Sequence, residues 1–150
     1  MKRLICLLLA LLVPCVSLAE KEVRLPDSRY TVDVPEYMKD SVPGAGGVQS
    51  WYCDILEMDC ISYRKADAQA MGMSGTLRET AEERAAAGAE TELREVNGIE
   101  MICFRTRDEA DGAPCIGYIF EDGDRMIEVD FWYANEEAAA LTAAIISSIR

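Results

Sequence analysis

The chain contains no histidine, and that absence removes more chemistry than any other feature. Serine and cysteine nucleophiles that rely on imidazole as base have no partner here, and the common zinc sets lose a usual ligand. No C-x-x-C pair occurs. Gly72-Met-Ser-Gly75 places its second glycine one residue early for a nucleophile elbow. Gly44, Gly46 and Gly47 lack a following Gly-Lys-Ser/Thr, which excludes a phosphate loop. Basic residues are scarce as well: 15 Lys and Arg stand against 27 Asp and Glu, a formal charge of −12. So acidic a surface repels nucleic acid and anionic membranes and admits cationic ligands. No internal repeat is present, and no cofactor is expected.

Long apolar runs are also missing, apart from Leu4–Val13. That run is too short for a bilayer, which needs about 20 apolar residues. Lys2 and Arg3 precede it, and Ser17-Leu-Ala19 supplies small residues before Glu20. These features read as a signal peptide over residues 1–19, exporting a single α+β domain over 20–150 to the periplasm, the cell envelope or the medium. Loss of Lys2 and Arg3 would move the charge from −12 to −14. Leu12-Val-Pro-Cys15 resembles a lipobox, but Pro14 stands where a small residue is wanted, so a soluble product is favoured over a lipid anchor on Cys15. No stable membrane insertion is expected.

Cys53, Cys60, Cys103 and Cys115 remain after export. An even number in an oxidising compartment suggests two disulfides, with three connectivities open. Proximity along the chain favours 53–60, around Glu57-Met-Asp59, and 103–115, around Asp108–Gly112. The other reading is four free, buried thiols.

Glu22–Pro26 and Tyr30–Pro35 read as a β-hairpin closed by prolines, as edge strands often are. Trp51–Leu56 and Cys60–Tyr63 read as a second hairpin, Met38–Ser50 as a loop and Arg64–Gly75 as irregular chain. Thr76-Leu-Arg-Glu79 is a capping box that starts a helix running to about Ala87, with Leu77, Ala81 and Ala85 as a thin apolar stripe. Thr91–Trp132 then forms a four-strand meander with turns at Asn97-Gly98, Asp111-Gly112 and Asp122-Gly123. Its apolar residues fall on both faces, which predicts cover on both sides. Asn135 caps a closing helix whose stripe is Ala138, Leu141, Ile145 and Ile149. The expected architecture is α+β: a single antiparallel sheet of two N-terminal hairpins plus the meander, with one central and one C-terminal helix packed on it.

The residues Arg24-Leu-Pro26, Tyr30–Pro35, Ile127–Trp132 and Ile145–Ile149, in this order of elements, resemble the PsbP-like and DcrB-like exported α/β/α sandwiches. The resemblance implies an antiparallel sheet between helices and a non-enzymatic accessory role outside the cytoplasm; it carries no site residue.

Chemistry is otherwise thin. Glu121–Asp124 and Asp108–Asp111 lack the spacing of a calcium loop. The function expected is a secreted, non-enzymatic binding or accessory domain acting on an extracytoplasmic protein or small ligand. The alternatives are a small carboxylate-dependent hydrolase acting on a glycan-type substrate and an envelope assembly subunit pairing through an edge such as Glu22–Val34. The place to look for a binding surface is Trp132 and Tyr133, facing the loop of Gly44, Gly46 and Gly47.

Overall fold

The computed structural model describes residues 19–41, 47–108, 110 and 112–150; the expected signal peptide, apart from Ala19, lies outside them. Alternation of apolar and polar residues drives nine segments of the described chain into strands. β1 (Glu20–Arg24) and β2 (Thr31–Pro35) form a hairpin, followed by β3 (Lys39–Asp40), β4 (Gln49–Tyr52) and β5 (Leu56–Arg64). Two helices follow, α1 (Lys65–Ala70) and α2 (Leu77–Ala86). The meander is β6 (Glu90–Val96), β7 (Ile99–Arg107), β8 (Pro114–Asp122) and β9 (Arg125–Tyr133), and α3 (Glu136–Ser147) closes the chain.

The expectation of one sheet is overturned. β3 to β9 form a seven-stranded antiparallel sheet in the order β3-β4-β5-β9-β8-β7-β6, while β1 and β2 form a separate two-stranded sheet. The reason is surface coverage. Seven strands span about 29 Å, whereas a helix is only about 10 Å wide, so α3 alone leaves apolar sheet uncovered. The β1–β2 hairpin fills that space: Leu25, Val32 and Val34 are buried in one cluster with Met58, Val129 and Phe131 from the sheet and Ile145 and Ile149 from the α3 end. Backbone bonds between Thr31 and Arg150 then occupy the outer edge of β2. Arg150 also pairs with Asp33 at 2.7 Å and Glu22 at 2.5 Å.

The opposite face carries a smaller cluster of Ile102, Phe104, Ile119 and Met126, covered by Leu77 and Ala81 of α2. Cover on both faces was legible from the double-sided apolar pattern. The stripe on α2 was not read correctly at its end, because Ala85 is exposed while Thr80 is buried.

Both helix starts follow their caps. The Thr76 Oγ1 accepts from the Glu79 amide at 3.3 Å and donates to the Glu79 carboxylate at 3.0 Å, so the return bond goes to the hydroxyl. The Asn135 Oδ1 accepts from the Ala138 amide at 2.9 Å. Ile145, Ile146 and Ile149 are buried, each stabilising by roughly 1.5–3 kcal/mol before conformational entropy is counted. Arg64–Gly75, expected to be irregular, contains α1.

The second hairpin was placed wrongly. Its turn is Cys53–Ile55, closed by a bond from the Cys53 amide to the Leu56 carbonyl at 2.8 Å, and Glu57-Met-Asp59 lies inside β5. That shift separates the cysteines expected to pair. Cys60 stands opposite Gln49 on β4, four residues before Cys53, roughly 13 Å away along the strand. Cys103 pairs in register with Tyr118 and Cys115 with Thr106, which places Cys103 and Cys115 on opposite faces. Cys53, Cys60, Cys103 and Cys115 are free thiols in this structure, correcting the expected disulfides.

Candidate functional site

β9 runs between β5 and β8, and its exit determines what surrounds Trp132 and Tyr133. Glu57 stands beside Trp132 in register, and Cys115 lies on its other side. Trp132 therefore points to the α2 face, beyond the helix, with its flanking strands ending nearby. There an open cleft of about 540 Å³ is lined by Tyr52, Asp54, Glu57, Trp132, Tyr133 and Ser41, among others. Two residues named from sequence, Trp132 and Tyr133, thus meet in one cleft. Gly47 is exposed with φ +80° and does not line it, and Gly44 and Gly46 lie outside the described residues.

The cleft combines three aromatic rings with two carboxylates and, among its described lining residues, no Lys or Arg. Arg105 and Arg107 line a separate depression that Tyr133 also borders. Partial burial raises the Glu57 carboxyl above its ordinary range, and the neighbouring Asp59 charge adds to that. Tyr52 is exposed. Tyr52, Asp54, Glu57 and Ser41 were missed by the sequence reading, since the misplaced turn put Asp54 inside a strand and Glu57 in the break.

A row of polar residues crosses the same face beside the cleft. Ser50, Asp59, Asp130, Gly117 and Phe104 are successive cross-strand neighbours. The Ser50 hydroxyl donates to Asp59 at 2.5 Å. Asp130 Oδ1 is buried without a hydrogen-bond partner. Desolvation, helped by the Glu128 and Asp59 charges and opposed by Arg84, pushes the Asp130 carboxyl up to about 7. Arg84 from α2 pairs with the buried Glu128 and stacks 4.7 Å above the Phe104 ring.

Gly117 is required by that stack. A Cβ there would come within 2.0 Å of Phe104 Cζ and 2.5 Å of Asp130 Oδ1. The ring occupies the space that a side chain on β8 would take, an arrangement that lets an aromatic neighbour cover a strand glycine.

Among the described residues no group of three or more Cys, Asp or Glu is placed to hold a metal ion. No helix among them is long and apolar enough to cross a membrane.

Solved structures with this arrangement exist. A crystal structure from Bacteroides thetaiotaomicron superposes with a TM-score of 0.60 at 11% identity, covering 87% of this chain and 47% of that one. The chain thus spans about half the length of the Bacteroides chain. The solution structure of cyanobacterial PsbP from Synechocystis superposes with a TM-score of 0.59 at 13% identity, covering 89% of this chain and 92% of that one. No family model matches the chain, and no curated protein matches it. Identities this low speak for the backbone arrangement alone: the chain is similar in fold to PsbP.

Proposed function

We propose that the protein is an exported, non-enzymatic binding module whose cleft at the exit of β9 takes a lysine- or arginine-bearing segment of an extracytoplasmic partner. One observation carries the reading: the cleft sets Tyr52, Trp132 and Tyr133 beside Asp54 and Glu57 with no basic side chain in its described lining. A cation over an aromatic face gains about 0.5–1 kcal/mol when exposed and about 2 when desolvated, and the carboxylates add charge pairing. The overall charge of −12 steers basic ligands toward the molecule. Export rests on the sequence features of residues 1–19.

The test is titration with an oligolysine peptide, followed by tryptophan emission. Trp51 is buried, so a change lost in W132F reports the cleft. Oligolysine is expected to give a saturable change, oligoglutamate none, and D54N/E57Q about tenfold weaker binding. Equal binding by D54N/E57Q would show attraction to net charge alone and overturn the proposal.

The hydrolase alternative draws on a different observation, the cross-strand carboxylates of Asp59 and Asp130, with Asp130 pushed up to about 7. Against it, neither lines the cleft, and the unpartnered Asp130 oxygen is occluded. Hydrolysis of a chromogenic glycoside that disappears in D59N and D130N would reinstate that reading.

A further inference from the structure

β6 ends the seven-stranded sheet with β7 as its neighbour. The turn between them is two residues long, Asn97 and Gly98, both at positive φ, and Val96 pairs with Ile99. In such a hairpin the closing pair exchanges both backbone bonds, and bonding then alternates along the ladder. Glu90, Glu92, Arg94 and Val96 therefore direct their N–H and C=O groups to β7. Thr91, Leu93 and Glu95 direct theirs outward, and among the described residues no backbone group of another element bonds them. Leu93, at the centre of this edge, is 54% exposed.

We propose that β6 pairs with β6 of a second copy of this chain, antiparallel and centred on Leu93. About that centre Leu93 meets Leu93, and Thr91 and Glu95 exchange backbone bonds across the dyad. Glu92 stands opposite the second copy's Arg94, and Arg94 opposite its Glu92. The charges select this register over its neighbours. Centring on Thr91 opposes Glu90 and Glu92, on Glu92 two Glu92 side chains, on Arg94 two Arg94 side chains, and on Glu95 two Glu95 side chains. Like charges directly opposite destabilise a strand pair, and opposite charges stabilise it by about 0.2–1 kcal/mol.

Charged edge strands commonly deter association; here the charges disfavour the four neighbouring registers and favour the one centred on Leu93. Within one copy Glu92 already pairs with Arg94, and Arg105 approaches Glu92 at 4.0 Å, so the groups are poised at the edge without being buried. The outer edge of β2, by contrast, is occupied by Arg150, which leaves β6 as the longer available template. The long-range repulsion of two acidic chains is screened over about 8 Å at physiological ionic strength. This surface is separate from the cleft and does not depend on the binding reading.

The test is sedimentation of the full chain over a wide concentration range at physiological salt, with reductant present so that Cys53 cannot link copies. A concentration-dependent dimer is expected. R94E sets carboxylates opposite each other and should weaken it at least tenfold, while E92R/R94E makes the pair complementary again and should restore it. Circular dichroism controls for folding, which substitutions at the exposed Glu92 and the half-buried Arg94 on the sheet edge should leave intact. A strict monomer, a dimer indifferent to R94E, or an R94E defect that E92R/R94E does not repair would each overturn the proposal.

Discussion

Asp130 shows how one residue can work against the fold that holds it. Its carboxyl is pushed from the ordinary 3.8 up to about 7, first by desolvation and then by Glu128, with Asp59 adding to that and Arg84 opposing. The folded state thus binds this proton more tightly than the unfolded chain. The group's contribution is fully present below about pH 3.8 and is lost as the pH rises toward 7. D130N, which has no charge to bury, should therefore match the parent near pH 4 and be more stable at pH 8 by about 1–2 kcal/mol. Thermal melts at the two pH values check this; a variant less stable at pH 8 would refute it. Alternation on β9 places Asp130 off the apolar face of Ile127, Val129 and Phe131. That alternation was legible in sequence. Its neighbours Asp59 and Gly117 were not, because they belong to other strands.

At the scale of elements, local chemistry was a reliable guide wherever backbone turns and caps were self-contained. The positive-φ turn at Asn97-Gly98, the Thr76 cap and the Asn135 cap form where expected, although the Asn97 side chain also reaches the Ser147 and Ile149 carbonyls and the Glu79 carboxylate returns to the Thr76 hydroxyl. Replacing Asn135 by Ala should cost about 1 kcal/mol by removing the α3 cap. Urea denaturation should show a lower midpoint with an unchanged slope, and an unshifted midpoint would mean that the cap contributes nothing. The β4–β5 turn was misread for the same reason in reverse. Cys53-Asp-Ile55 carries neither Gly nor Pro, so nothing local marks it, whereas the acids of Glu57-Met-Asp59 look like a break. In the structure Met58 is buried on one face, and both acids lie on the other.

For the whole molecule, the cysteines give the clearest contrast between expectation and outcome. Their number invited a disulfide framework, but the ladders place Cys60 and Cys103 in the main core with two strands between them, and Cys115 on the far face. Burial raises the Cys60 and Cys115 thiols, the latter to about 12, which suppresses the reactive thiolate. Of Cys53, Cys60, Cys103 and Cys115, alkylation without reductant should label Cys53 alone in the native protein and every one after unfolding. Mass spectrometry checks the count, and a mass two hydrogens lower per pair, with no label, would restore the disulfide reading.

The sequence by itself determined the N-terminal hairpin, the meander strands, the two capped helices, the turn at Asn97-Gly98 and the need for cover on both faces of the meander. These are properties of periodicity and of side chains bonding to nearby backbone, and they need no distant partner. Only the tertiary structure decided that β5 inserts beside β9, that the N-terminal hairpin is a covering layer instead of a sheet edge, and that Tyr52, Asp54 and Glu57 join Trp132 and Tyr133 in a cleft. Those choices depend on which apolar faces remain uncovered once the meander has formed. That is a matter of area and of long-range pairing, which residue order along one strand does not encode.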